Sequence, residues 1–147
     1  MGLDVGDRWV GVALSDPLGI LASPLTRIER ADDRVAVEAI AALVREHEAR
    51  LVVAGLPYSL DGTVGEQAVR VQEFLRQVSG AVGVPIETWD ERLSTVAAKR
   101  GMAESGARRG KEKIDAAAAA LILQGYLDRL RLEEREARDE ASPANPG

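Results

Sequence analysis

The amino-acid sequence predicts an α/β protein built around one mixed, five-stranded sheet. Three short extended segments occupy the first 28 residues and are separated by turn residues, which is typical of an antiparallel meander. The pattern then changes to helix, strand, helix, strand and helix, which favours parallel strands joined by helical crossovers. At 147 residues, 46% of them hydrophobic, the chain fits one globular domain with helices on both faces of the sheet.

The first two extended segments form a predicted β-hairpin. Both are apolar, and Gly6-Asp7-Arg8 between them has the composition of a tight turn. Pro24 in the third segment indicates an edge strand or a bulge, because proline cannot donate a ladder hydrogen bond. The predicted strands of this meander are Leu3–Val5, Trp9–Leu14 and Gly19–Ile28.

The remaining elements are predicted from apolar periodicity. Apolar residues spaced by three and four indicate amphipathic helices, whereas short aliphatic runs that end in turn or polar residues indicate strands. The predicted helices are Asp33–Ala49, Gly65–Val78, a short one ending at about Gly101, and Ile114–Arg129. The predicted strands are Leu51–Ala54 and Val84–Trp89. After a domain spanning residues 1–130, we expect a fraying helix and a disordered tail over residues 131–147, because this stretch is polar and ends in Pro and Gly.

The composition disfavours several kinds of catalytic site. Cysteine is absent and His47 is the single histidine, which argues against a disulfide framework, a Cys-rich zinc site and a Ser/His/Asp triad. His47 lies near the end of a predicted helix, where a solvated residue that interacts well with the helix dipole is typical. Carboxylates, hydroxyls and backbone amides remain for chemistry.

Nothing in the sequence indicates a membrane protein. The first strand begins at the N-terminus, which leaves no room for a signal peptide, and no apolar run approaches the roughly 20 residues that span a bilayer. We therefore expect a cytoplasmic protein without a membrane partner. The formal net charge of −5 gives no general attraction to nucleic acid, so such a partner would need a local basic surface.

A local basic segment is present over residues 99–113. Six basic residues stand against two glutamates, a local charge of +4, and three glycines interrupt the run, so we predict a mobile loop. A charge run of this kind is usually a solvated surface, but basic residues on a flexible loop also suit contact with a phosphate backbone. The basic residues of this segment are Lys99, Arg100, Arg108, Arg109, Lys111 and Lys113.

Four acidic residues lie at positions where either a functional or a structural role would account for a carboxylate. Asp4 is inside the first strand, where Asp is rare and a buried carboxylate is costly. Asp90 and Glu91 follow the last strand, and ligands gather at such ends in open α/β sheets. Asp115 is in the first turn of the last predicted helix, beside alanines that would direct it inward. Turn hydrogen bonds for Asp4 and helix capping for the others are the structural alternatives.

Four blocks of sequence carry a resemblance to a known family. They are GLDVGDRWVGVALSD at 2–16, GLPYSLDGTVGEQA at 55–68, WDERLSTVAA at 89–98 and KEKIDAAAAALILQGYLD at 111–128. In this order they closely resemble the YqgF (RuvX) family of proposed Holliday junction resolvases and pre-16S rRNA nucleases, which is related to the RuvC resolvases. The resemblance implies a ribonuclease H-like fold. The family usually has Lys or Thr-Lys in the first turn, whereas this chain has Gly6-Asp7-Arg8-Trp9 there.

The resemblance implies a nuclease whose catalytic and metal-binding residues are Asp4, Glu91 and Asp115, with Asp90 as an alternative or additional ligand. Carboxylates gathered from distant parts of the chain would repel one another unless a divalent cation neutralised them. Oxygen-only ligands select hard ions, Mg²⁺ or Mn²⁺. In this fold class two such ions can activate a water molecule and stabilise the leaving 3′ oxygen of a phosphodiester.

The same resemblance implies a nucleic-acid partner, held by Arg8, Arg92 and the basic segment. Precursor rRNA and branched DNA both present phosphodiesters, so 5′-end processing of 16S rRNA and resolution of Holliday junctions both stay open. A resolvase would need a homodimer in order to cut two strands symmetrically. Two other functions are considered: a phosphotransferase of the actin and sugar-kinase class, which needs a second domain, and a non-catalytic nucleic-acid-binding module.

Overall fold

The computed structural model of the chain describes residues 1–59, 61–93 and 111–141, apart from the side chains of 111–113. This part contains one sheet, with helices on both of its faces. The strands are β1 (Gly2–Val5), β2 (Trp9–Ser15), β3 (Ala22–Glu29), β4 (Val52–Leu56) and β5 (Ile86–Asp90). The helices are α1 (Asp33–Glu46), α2 (Glu66–Val82) and α3 (Lys111–Ala141), and a 3-10 turn spans Glu91–Leu93.

The sheet is mixed, with the spatial order β3-β2-β1-β4-β5. β1, β2 and β3 pair antiparallel, whereas β4 pairs parallel with both β1 and β5. The predicted meander followed by two parallel strands is therefore confirmed. β3 is an edge strand, and the pairing of β2 with β3 shifts between Val12 and Ala13, so that Leu25 is an extra residue on β3. Both features agree with the prediction made from Pro24.

Two apolar layers cover the sheet. Leu3, Val10 and Val12 point to the layer formed by α1 and α2, where Phe74 is fully buried. Ala13 and Val53 point to the opposite layer, formed by α3 with its buried alanines and Ile122. Side chains alternate between the faces of a strand, so the odd-numbered positions of β1 belong to the first layer and the even-numbered positions to the second. None of the described helices is both long enough and apolar enough to cross a membrane.

Local chemistry sets the element ends, some of which differ from the prediction. Asp32 caps α1 by accepting a hydrogen bond from the Arg34 amide at 2.9 Å. β3 begins later than predicted because Asp16 Oδ1 accepts hydrogen bonds from the amides of Ile20 and Leu21, which closes a turn and lowers the pKa of Asp16. β4 continues through Leu56, two residues past the predicted end.

The last helix is longer than the sequence predicts at both ends. α3 begins at Lys111, so the predicted loop is wrong for residues 111–113, which are good helix formers following a glycine. α3 continues to Ala141 with an exposed surface, supported by pairs such as Arg129–Glu133 at 3.3 Å. The predicted short helix ending near Gly101, the rest of the basic segment and residues 142–147 lie outside the described residues.

Candidate active site

The carboxylate of Asp4 is buried at the centre of the sheet, on the face covered by α3. A Cβ built on Gly2 would lie 2.8 Å from both the Ala119 carbonyl oxygen and the Leu123 Cβ, so the even-numbered positions of β1 face α3. Asp4 therefore points toward α3, and only 5% of its surface is exposed. The predicted placement of this acid inside the first strand is confirmed.

Two glycines flank Asp4 on the neighbouring strands. Gly11 of β2 is its antiparallel partner, and a Cβ on Gly11 would overlap the carbonyl oxygen of Asp115. The backbone of α3 therefore lies directly on β2 at this point. On the other side, the parallel register that pairs Leu3 with Ala54 places Gly55 of β4 beside Asp4. Glycine weakens a strand, and close approach of another group is the usual reason for keeping it there.

The side chain of Glu91 occupies the space above Gly55. Glu91 directly follows β5 as the first residue of the 3-10 turn, and it is 8% exposed. A Cβ on Gly55 would lie 2.7 Å from Glu91 Oε1 and 2.6 Å from Ile122 Cδ1. Glu91 is thus held between β4 and α3, on the face to which Asp4 points. Two buried carboxylates from opposite parts of the sequence share this region at the carboxyl ends of the parallel strands.

Asp90 takes a different direction from Glu91. Its Oδ2 accepts a hydrogen bond from Arg92 Nη2 at 2.6 Å, and its Oδ1 accepts one from the Arg92 amide at 3.0 Å. The guanidinium of Arg92 also lies 5.4 Å from the centre of the Tyr58 ring. The hydrogen bonds from Arg92 hold the pKa of Asp90 below its usual range. Asp90 therefore forms a local ion pair that fixes the turn after β5.

Asp115 pairs with Arg27 of the edge strand. It is the fifth residue of α3, so its predicted position in the first helical turn is wrong, because the helix begins earlier than expected. Arg27 Nη1 donates a hydrogen bond to Asp115 Oδ2 at 3.4 Å, with the two side chains 16% and 28% exposed. The Arg27 guanidinium also stacks on Trp9, 3.5 Å from the ring centre. The side chain of Asp115 thus points inward, as predicted, and contacts Arg27 there.

Comparison with known proteins identifies the family of this chain. The model of the RuvX family, described as Holliday junction resolvase, matches residues 1–129. The chain belongs to the RuvX family. The match covers all of the strands and most of α3, and so includes Asp4, Glu91 and Asp115.

Curated relatives of this RuvX chain match it over nearly their whole length. It is 45% identical over 130 residues to a protein of Clostridium novyi, covering 87% of this chain and 96% of the relative. It is 52% identical over 124 residues to a protein of Dehalococcoides mccartyi, covering 84% and 93% of the two chains. Both relatives are named as proposed pre-16S rRNA nucleases.

Solved structures support the fold. Thermus thermophilus RuvC in complex with a Holliday junction substrate aligns with a TM-score of 0.51 at 17% identity, covering 86% of this chain and 90% of that one. A further structure of Thermus thermophilus RuvC aligns with a TM-score of 0.52 at 20% identity. The predicted ribonuclease H-like fold, with its mixed five-stranded sheet, is confirmed by this likeness and by the strand order.

The donor chemistry of this RuvX chain suits a hard divalent cation, and the ligand set of Asp4, Glu91 and Asp115 stays a prediction. Asp4 and Glu91 offer carboxylate oxygens on the sheet face covered by α3, and such oxygens are the ligands that Mg²⁺ and Mn²⁺ prefer. Asp115 is instead engaged by Arg27. Across residues 1–59, 61–93 and 111–141, no three His, Cys, Asp or Glu side chains are arranged to hold a metal ion.

The basic residues predicted to contact nucleic acid have different surroundings. Arg8 is exposed in the turn between β1 and β2. Arg92 forms the ion pair with Asp90. Lys111 and Lys113 lie in the first turn of α3, and the structure describes their backbone only. Four further residues lie outside the described part of the chain, and these are Lys99, Arg100, Arg108 and Arg109.

Sequence reasoning missed three residues that shape the site: Gly11, Gly55 and Arg27. The two glycines carried a signal, because a glycine within an apolar strand pattern indicates close approach of another group. Gly55 was predicted to follow its strand, whereas it lies inside β4. Arg27 carried no comparable signal, since its partner Asp115 is 88 positions away and their meeting depends on how α3 crosses the edge strand.

Proposed function

We propose that this chain is a divalent-metal-dependent nuclease that hydrolyses phosphodiester bonds of precursor 16S rRNA during 5′-end processing. The observation that supports the proposal is two buried carboxylates on the sheet face covered by α3: Glu91 lies over Gly55, and Asp4 lies on the neighbouring strand beside Gly55. Buried acids at this position of an α/β sheet suit a ligand site rather than a solvated surface. The relatives named as proposed pre-16S rRNA nucleases support RNA as the substrate.

Asp4, Glu91 and Asp115 would hold Mg²⁺ or Mn²⁺, and two ions would supply charge neutralisation and Lewis acidity at the scissile phosphate. Asp4 would contribute from the middle strand, which is paired on both sides. Glu91 contributes from the turn after β5 and is preferred to Asp90, because Arg92 already holds the Asp90 carboxylate. Asp115 contributes from α3 once its side chain turns away from Arg27.

The proposed substrate strand is bound through its phosphates. Arg8 is exposed beside β1, within the same end of the sheet as Asp4, and can contact a backbone phosphate. The basic segment adds positive charge to an otherwise acidic chain. Because α3 packs directly on Gly2 and Gly11, it covers this side of the sheet face and restricts the access of water to Asp4.

A second candidate is resolution of Holliday junctions by cleavage of branched DNA. The family description favours it, and it would require two copies of the chain so that two strands are cut symmetrically. The two candidates share the same carboxylates and differ in substrate and in assembly. A homodimer is thus part of the second proposal only.

The deciding experiment is a cleavage assay with purified protein and either Mg²⁺ or Mn²⁺, on precursor 16S rRNA and on a four-way DNA junction in parallel. We expect metal-dependent cleavage near the 5′ end of the mature rRNA, and its loss in Asp4→Asn without loss of the folded state. Symmetric junction cleavage by a dimer would instead favour the second candidate. Binding of both substrates with no cleavage in either metal would contradict the nuclease proposal and favour a non-catalytic module.

A further inference from the structure

An open groove lies between β3 and the first half of α3, next to Asp115. It measures about 610 Å³ and is lined by Trp9, Pro24, Leu25, Arg27, Ala116 and Ala117, among others. That volume lies within the range of small-ligand sites. Among the described lining residues, most are aromatic or apolar, and Thr26 and the cationic Arg27 are the polar ones.

The bulge in β3 opens this groove. Leu25 is the extra residue of the bulge and is 38% exposed, although β3 lies against α3. Bulges often occur at sheet edges and next to active sites, because they redirect side chains without ending the strand. On the opposite wall, Ala116 and Ala117 are too small to fill the space. The groove is therefore a built feature of the edge strand and the helix together.

Trp9 and Arg27 give the groove its recognition chemistry. The Arg27 guanidinium lies 3.5 Å from the centre of the Trp9 ring, and Trp9 is partly exposed. A planar aromatic group next to a guanidinium suits stacking of a nucleobase, to which both can contribute. Arg27 also contacts Asp115, so the same side chain belongs to the groove and to the candidate active site.

We propose that this groove binds one unpaired nucleobase of the nucleic-acid substrate, stacked on the layered pair that Trp9 and Arg27 form. The proposal rests on the proposed function and adds a subsite to it. A base inside a duplex is stacked on its neighbours and cannot use this groove, so the chain should prefer single-stranded or junction nucleotides. Every base has an aromatic face, so little sequence preference follows from this contact.

The test compares wild type and Trp9→Ala in binding to labelled oligonucleotides without divalent metal, which prevents cleavage. The probes are a single-stranded RNA, a blunt RNA duplex containing the same sequence, and a single-stranded DNA. The DNA probe tests whether the bound base comes from RNA or from DNA. Loss of a base–aromatic stack by alanine substitution typically weakens binding at least fivefold, so we expect about a tenfold loss for single strands. We expect less than about a twofold change for the duplex, and an unchanged salt dependence.

Two matched variants define the effect. Trp9→Phe retains a ring and should retain most of the affinity, whereas Leu132→Ala alters an exposed residue in the distal half of α3 and should bind like wild type. Equal losses for single strands and duplex would overturn the proposal, as would wild-type binding by a folded Trp9→Ala variant.

A measurement on wild type covers the case in which Trp9→Ala does not fold. Trp9 is partly exposed whereas Trp89 is only 8% exposed, so base stacking should quench the Trp9 fluorescence as single-stranded RNA is added. Unchanged fluorescence at saturating RNA overturns the subsite. If wild type binds and cuts nucleic acid but Trp9 has no effect, only the subsite fails. If wild type neither binds nor cuts nucleic acid, the proposed function fails and the subsite fails with it.

Discussion

Gly11 lies directly beneath the backbone of Asp115, so that the missing side chain of one residue determines how closely the helix of the other approaches the sheet. Gly11 is also the strand partner of Asp4. The pairing of Asp4 with Gly11 therefore sets how closely α3 approaches the sheet. It also fixes the backbone positions of two candidate ligands, Asp4 and Asp115.

Gly11→Ala should destabilise the fold. The added Cβ would overlap backbone atoms of Asp115 and Ala116, which cannot rotate away as a side chain could. We expect a loss of about 2 kcal/mol or more in the free energy of unfolding, in the range of overpacked cores. Urea denaturation followed by circular dichroism measures it.

Gly80→Ala is the matched control for that substitution. Gly80 lies inside α2, and nothing is within 4 Å of the Cβ that alanine would add. Alanine is a better helix former than glycine, so stability should stay the same or rise by up to about 1 kcal/mol. If Gly11→Ala were as stable as Gly80→Ala, the close packing of α3 on β2 would be wrong.

Gly55→Ala should impair cleavage more than stability. The added Cβ would meet Ile122 Cδ1 and Glu91 Oε1, and both atoms are at the ends of side chains that can move. We expect a cost of about 1 to 2 kcal/mol in unfolding free energy, together with at least a tenfold loss of cleavage rate as Glu91 is displaced. Melting curves and single-turnover rates on the same preparation separate the two effects. A normal rate would remove Glu91 from the chemistry.

Glu91→Gln and Asp90→Asn should have different effects on cleavage. Each substitution replaces a carboxylate by an amide of almost the same shape, so the comparison isolates charge. Because Asp90 is held by Arg92, we expect Asp90→Asn to keep its activity within about threefold, whereas Glu91→Gln should lose it by orders of magnitude. Metal-titrated cleavage measures both. The reverse result would make Asp90 the ligand.

The Asp90–Arg92 pair should make stability depend on acidic pH. Hydrogen bonds from Arg92 lower the pKa of Asp90 in the folded chain, so the unfolded chain binds a proton there more readily. The contribution of the pair is therefore complete above the unfolded pKa, near 4, and is lost as pH falls through the lower folded pKa. Melting temperatures of wild type and Asp90→Asn should converge as the pH falls through this window. A constant difference down to pH 2 would contradict the assignment.

The elements that the sequence predicted well are those with a strong local pattern. The Gly6-Asp7-Arg8 turn and the two apolar runs beside it predicted the hairpin, and Pro24 predicted an edge strand or a bulge, both of which are found. Each of these depends on neighbouring residues alone. The mixed sheet, an antiparallel meander followed by two parallel strands, was predicted from the order of the elements along the chain, which needs no detail of packing.

The parts that the sequence did not predict depend on contacts across the fold. The ion pair between Arg27 and Asp115 forms only because α3 crosses the edge strand, and no pattern near either residue encodes that crossing. The start of α3 was placed three residues late because the charged Lys111-Glu112-Lys113 was grouped with a glycine-rich loop. This shift alone moved Asp115 from the first helical turn to the second, where capping no longer explains it.

Asp115 and Arg27 can be separated by their effects on catalysis and on binding. If Asp115 serves only as the partner of Arg27, then Asp115→Asn and Arg27→Gln break the same ion pair and should change stability by similar amounts, about 1 kcal/mol. If Asp115 is a metal ligand, Asp115→Asn removes a charged oxygen from a hard-ion site and kcat should fall by orders of magnitude, with partial recovery in Mn²⁺.

Arg27→Gln should then leave kcat within about threefold of wild type and raise KM, because Arg27 would act on the substrate strand while its loss leaves the Asp115 carboxylate available. Steady-state cleavage in Mg²⁺ and Mn²⁺ measures kcat and KM of both variants, and thermal melts measure their stability. Equal falls in kcat for the two variants would mean that the ion pair itself is needed. Full activity of Asp115→Asn in Mg²⁺ would remove Asp115 from the site and leave Asp4 and Glu91 without their third partner.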